Sequence, residues 1–122
     1  RRKIIYVKHP SIEISNKNLS EGISTIDPVN YMDMVHLIKN SSGVISDSGG
    51  IQEEVICANK KILICRNTTE RPETVESGYG KLVGRDINNN INFLDIKNSD
   101  VENPYGNDVS KKIVDTLQDL FI

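Results

Sequence analysis

The chain of 122 residues has no tryptophan, two cysteines, four prolines and 5% aromatic residues. Two cysteines are too few for a disulfide scaffold. Cys57 and Cys65 form no C-x-x-C pair, which argues against a metal knuckle or a dithiol redox motif. An excess of one charge is also missing: Lys plus Arg is 15 and Asp plus Glu is 17, a net charge of −2. A basic footprint for nucleic acid or anionic lipid is therefore absent. No apolar run approaches the ~18 residues that a membrane-spanning helix requires. The start, from Arg1 to Val7, shows neither a Met nor a signal-peptide pattern. It reads as the middle of a longer protein, interrupted just before a strand.

What remains is the composition of one globular domain, with 37% hydrophobic and 26% charged residues. Short apolar runs alternate with helical patterns. Strands are expected at Lys3–Val7, Gly22–Ile26, Gly43–Ser46, Lys61–Cys65 and Lys81–Gly84. Tyr31, Met34, Val35 and Ile38 fall on one helical face. Asp27 is the expected N-cap of that helix, with Pro28 at its first position. Further helices are expected over Ile51–Ala58, Pro72–Ser77 and about Asp108–Phe121, with a weak one near Ile91–Ile96. Continuous apolar strands interleaved with helices predict an α/β fold, a three-layer Rossmann-like arrangement whose parallel sheet is covered on both faces.

The informative stretch is Ser46-Asp47-Ser48-Gly49-Gly50-Ile51-Gln52-Glu53-Glu54, between a buried strand and a helix. Paired glycines suit a sharp turn and let another molecule approach the backbone. The helix behind them begins with unpaired N–H groups and the positive end of its dipole, an anion site most often used for phosphate. Ser48 adds a hydroxyl. Glu54, about one turn in, would repel phosphate but suits two vicinal hydroxyls, as on a ribose. Neither the dinucleotide G-x-G-x-x-G pattern nor the P-loop pattern is present. The plainer alternative is a capped strand-to-helix turn with Glu53 and Glu54 solvated. A second stretch, Arg66-Asn67-Thr68-Thr69-Glu70-Arg71-Pro72-Glu73, follows the fourth strand and opens on the same sheet edge. Arg71 suits phosphate oxygens and the threonines offer hydroxyls. Alternatively, Arg66 and Arg71 pair with Glu70, Glu73 or Glu76 on an ordinary surface loop. Cys57 and Cys65 read as small buried hydrophobes. His36 reads as structural, and the stripe Val109-Ile113-Leu117-Leu120 as core or docking surface.

Taken in order, the serine–glycine stretch, Arg66 to Gly78, Leu82-Val83-Gly84 and Asn103-Pro104-Tyr105-Gly106 resemble the non-hydrolysing UDP-N-acetylglucosamine 2-epimerases from Asp27 onward. The resemblance implies the C-terminal half of a glycosyltransferase-B type fold. Residues 1–122 would then be one nucleotide-binding domain of a longer two-domain enzyme. It implies that Ser48, Gly49 and Gly50 hold the diphosphate of UDP or UDP-N-acetylglucosamine, that Arg71 contacts the phosphates and that Glu54 takes the ribose hydroxyls. Val29 falls at the uracil region, and Met34 stands where the family usually has a Phe near the base. The family interconverts UDP-N-acetylglucosamine and UDP-N-acetylmannosamine by eliminating and re-adding UDP, without metal or cofactor. Its acid–base carboxylates and a Gly-His-Arg-Arg motif belong to sequence absent here. No catalytic residue is therefore expected in this chain, and alone it should not turn over. A family segment of the type Pro-x-His-x-Asn-Pro, tied to a regulatory nucleotide-sugar site, is shorter here. Either His9 replaces that histidine or Val7 does and the histidine is lost, and beside a turn His9 also reads as a surface residue. The resemblance further implies a cytoplasmic protein, commonly homodimeric, with a C-terminal helix that packs on the other domain. Relatives acting on other UDP-2-acetamido sugars, and a glycosyltransferase-B transferase, are the rival readings.

Overall fold

A computed structural model describes residues 2–10, 20–98, 103–106 and 109–121. The chain separates into two compact units, Arg1–His36 and Leu37–Ile122.

In the first unit, β1 (Ile4–Val7) and β2 (Ile23–Ile26) pair in parallel, Ile4 opposite Ile23 and Val7 opposite Ile26. The ladder is extended by Ile4 N–H donating to the Gly22 carbonyl and Lys8 N–H to that of Ile26, each at 3.0 Å. Helix α1 (Tyr31–Lys39) follows. It begins three residues beyond Pro28, so Asp27 is not its cap. Asn30 does that work, its Oδ1 accepting the Asp33 N–H at 2.8 Å. Asp27 instead faces Lys8 Nζ at 3.4 Å.

The second unit is built on β3 (Val44–Ser46), β4 (Ile62–Ile64) and β5 (Gly80–Leu82), parallel and in the order β3-β4-β5. The central strand has no exposed side chain: Ile62, Leu63 and Ile64 are each 0% accessible. Burial on that scale contributes about 1.5–3 kcal/mol per side chain, and it explains why β4 shows no polar alternation. Helix α2 (Gly49–Cys57) turns Val55 and Ile56 inward. Its far end closes with Asn59 in the left-handed region, φ 57°. Lys60 N–H then bonds the Val55 carbonyl and Asn59 N–H that of Ile56, the paired bonds of a Schellman cap. Helix α3 (Pro72–Glu76) sits against β5, where Gly80 leaves room for Thr74. The hydroxyls of Thr74 and Tyr105 meet at 2.6 Å, tying the Asn103–Gly106 segment to α3.

A 3-10 turn (Ile91–Asp95) replaces the expected weak helix and lies against β4. Buried Lys61 reaches over the Phe93 ring, 4.7 Å from its centre, and donates to the Gly78 carbonyl at 2.7 Å. Burial lowers the pKa of that ammonium. The last helix, α4 (Val109–Phe121), presents Val109, Ile113, Val114, Leu117 and Leu120 as exposed side chains. Among the described residues no helix is long and apolar enough to cross a membrane.

Candidate functional site

The glycines of the Ser48-Gly49-Gly50 stretch are not in a turn. Helix α2 starts at Gly49, two residues before the expected Ile51. Neither Gly49 nor Gly50 has a positive φ. Ser48 is extended (φ −81°, ψ 131°) and caps the helix, its hydroxyl oxygen accepting the Ile51 N–H at 3.5 Å. Ser46 Oγ accepts the Ser48 N–H at 3.1 Å. The backbone could therefore accept side chains at 49 and 50. What the glycines supply is space.

They supply it for different things. A Cβ on Gly49 would come 2.6 Å from Arg71 Nη1, so this glycine is filled by the arginine. Among the described residues a Cβ on Gly50 would meet nothing within 4 Å. Residues four apart on a helix share a ridge, which sorts the acidic pair. Gly49 and Glu53 form one ridge, and Glu53 Oε1 accepts from Arg71 Nε at 2.9 Å. Gly50 and Glu54 form the neighbouring ridge. Among the described residues nothing bonds the Glu54 carboxylate, and Arg71 Nη1 and Nη2 have no hydrogen-bond partner.

The loop carrying Arg71 is fastened from beneath. Gln52 is 0% accessible, and its Oε1 accepts from the Thr69 hydroxyl at 3.1 Å. That hydroxyl accepts the Arg71 N–H at 3.0 Å. The Gln52 Nε2 has no partner among the described residues. The sequence assigns Gln52 no role, and it places Glu53 only in the plainer alternative, as a solvated first-turn acid. No local signal marks either residue, because their partners lie 17 and 18 positions away.

Arg66 behaves as its alternative reading expects. Its two terminal nitrogens bond both Glu70 oxygens, at 2.6 and 2.7 Å. Arg71 does not: its carboxylate is Glu53, not Glu70, Glu73 or Glu76. The bidentate bond from Arg66 holds the Glu70 carboxyl below the usual carboxylate range. Burial, then the nearby Asp47 charge, raises the Cys65 thiol. Cys65 is half-buried. Cys57 is exposed, contrary to expectation, because it closes the C-terminal turn of α2, where Asn103 Nδ2 donates to its sulfur at 3.4 Å.

Thus Ser48, Gly49, Gly50 and Arg71 come together, with Glu54 one turn along α2. Val29 and Met34 belong to the first unit, where both are half-buried; His9 and His36 are exposed there. Among the described residues no cluster of His, Cys, Asp and Glu has the grouping to hold a metal ion.

Parallel strands with a glycine-opened helix start after β3 and an arginine loop after β4 define a Rossmann-like α/β protein. The chain belongs to the UDP-N-acetylglucosamine 2-epimerase family, whose model matches residues 1–118. It is 43% identical over 106 residues to the UDP-N-acetylglucosamine 2-epimerase of Neisseria meningitidis, covering 79% of this chain and 28% of that protein. With the Methanocaldococcus jannaschii enzyme it shares 40% over 117 residues, 87% of this chain and 32% of the relative. The solved structure of that archaeal enzyme in complex with UDP-GlcNAc and UDP superposes with a TM-score of 0.80 at 32% identity, over 95% of this chain and 35% of that one. The Neisseria meningitidis structure bound to UDP-GlcNAc gives 0.68 at 39% identity, over 81% and 30%. The fold is thus α/β with parallel sheets, of the glycosyltransferase-B kind. The chain spans about a third or less of the length of the curated relatives it matches.

Proposed function

We propose that this chain supplies the UDP-binding half of a UDP-N-acetylglucosamine 2-epimerase. In this reading the diphosphate lies at the start of α2, against the N–H groups of Gly49 and Gly50 and the hydroxyl of Ser48, and takes Arg71 as its charge partner. The ribose hydroxyls bond Glu54 on the same ridge as Gly50. The observation that carries the reading is the Gly50–Glu54 ridge, open beside the unbonded end of the Arg71 guanidinium. Relatives whose solved structures hold UDP-GlcNAc support it.

The reaction of the whole enzyme breaks the bond from sugar C1 to the diphosphate oxygen. UDP leaves with the electron pair, a base removes the C2 proton, and a C1–C2 double bond forms. UDP then adds back to C1 while a proton enters the opposite face of C2. The chain contributes to the first step by stabilising negative charge on the departing diphosphate. The acid–base groups come from an N-terminal domain, so the chain alone binds UDP without turning the sugar over.

Calorimetry tests this. UDP and UDP-N-acetylglucosamine should bind with similar affinity and uridine far more weakly. Arg71→Ala should weaken UDP and leave uridine unchanged. Absence of UDP binding, or equal losses for both ligands, refutes the reading. Appearance of UDP-N-acetylmannosamine from the isolated chain refutes its last clause.

A further inference from the structure

An arginine borne on a loop helps an anion most when its guanidinium is already in place before the anion arrives. Helix α2 holds Arg71 at two points. Glu53 takes the inner nitrogen, Nε, at 2.9 Å, which leaves the two outer nitrogens without bonds among the described residues. Gln52 takes the Thr69 hydroxyl, and that hydroxyl takes the main-chain N–H of Arg71. One contact fixes the side chain, the other the backbone it springs from. Gln52 does this at a cost, since its buried amide nitrogen has no partner among the described residues. A methionine of similar volume would fill the same space without that cost. The polar side chain earns its position through the loop it holds.

We propose that Glu53 and Gln52 are positioning residues that preset the Arg71 guanidinium for the diphosphate of a nucleotide ligand. The proposal rests on the reading of Arg71 as a phosphate contact given above. It opposes a specific alternative, in which Glu53 competes with the ligand for the arginine; removing Glu53 would then tighten binding.

The test is calorimetry of the full chain with UDP and uridine. Glu53→Ala should weaken UDP about threefold to tenfold and leave uridine unchanged. Glu53→Gln, which keeps an acceptor for Nε, should recover part of the loss. Gln52→Met should weaken UDP to a similar extent without lowering Tm. Should Gln52→Met fail to fold, Thr69→Val breaks the same link from the loop. In an Arg71→Ala background, Glu53→Ala should have no further effect on UDP. Unchanged or tighter UDP binding by Glu53→Ala, or an undiminished loss in that background, overturns the proposal. If Arg71→Ala weakens UDP but the Glu53 and Gln52 variants do not, positioning fails and the phosphate contact stands. If Arg71→Ala leaves UDP unaffected, or the parent chain does not bind UDP, both readings fall.

Discussion

Arg71 occupies the space that a side chain at residue 49 would need, while no described residue fills the space beside residue 50. Adjacent glycines of the same helix turn thus do different work. Gly49→Ala should leave the fold intact, because the group it meets is the far end of a flexible side chain, and alanine is favoured over glycine within a helix. It should nevertheless weaken UDP by displacing the guanidinium, and that loss should vanish in an Arg71→Ala background. Gly50→Ala should raise stability by about 0.5–1 kcal/mol yet weaken UDP whether or not Arg71 is present. Denaturant titration and calorimetry of the two variants check this, and identical behaviour would show that the glycines are equivalent.

Glu54 lies on the Gly50 ridge with no partner among the described residues. Glu54→Ala should weaken UDP by about tenfold, the scale of a hydrogen bond to a charged group. The loss should be smaller for 2′-deoxyuridine diphosphate, which lacks one of the two hydroxyls. An equal loss for both nucleotides would remove Glu54 from the ribose.

The core makes a prediction independent of any ligand. A Cβ on Gly80 would lie 2.6 Å from Thr74 Cγ2 and 3.1 Å from Ile64 Cδ1, both in fully buried residues. Unlike Arg71, these groups have nowhere to go. Gly80→Ala should destabilise the chain by about 1–3 kcal/mol in urea unfolding, and an unchanged midpoint would contradict the packing described.

The Arg66–Glu70 pair sets a pH dependence. Its bidentate bond lowers the folded-state pKa of Glu70. The folded state therefore binds fewer protons than the unfolded state between the lowered and the ordinary value. The pair's contribution is present above the ordinary glutamate range and is lost as pH falls through the folded pKa. Arg66→Gln should return the Glu70 midpoint toward the ordinary value in an NMR titration. A midpoint that does not move would show the pair to be absent in solution.

Most elements were legible in the sequence because their signals are local. Ile62-Leu63-Ile64 reads as a strand since a centrally buried parallel strand has no wet face to mark with polar residues. Pro72 fixes the start of α3, where it sits in the first turn. Local rules failed where candidates competed. Asp27-Pro28 and Asn30 both suit a helix start, and Asn30 prevails with its bond to the Asp33 N–H while Asp27 faces Lys8. The position of the paired glycines was legible and their purpose was not. That Gly49 makes room for Arg71, and that Glu53 and Gln52 secure it, depends on a loop about 20 residues onward reaching back, which no periodicity encodes.

Strand β4 has ladders on both sides and every side chain out of water. Its amides can exchange with solvent only through the largest openings of this unit. The helix start and the arginine loop hang from its C-terminal end: Cys65 N–H is bonded to the Ser46 carbonyl just before the serine cap, and Val83 N–H to the Ile64 carbonyl, while Gly84 N–H holds the Arg66 carbonyl at the root of the arginine loop. Loop and helix start are thus both moored to one fully buried strand, so the backbone that sets their separation is the part of the unit best shielded from water.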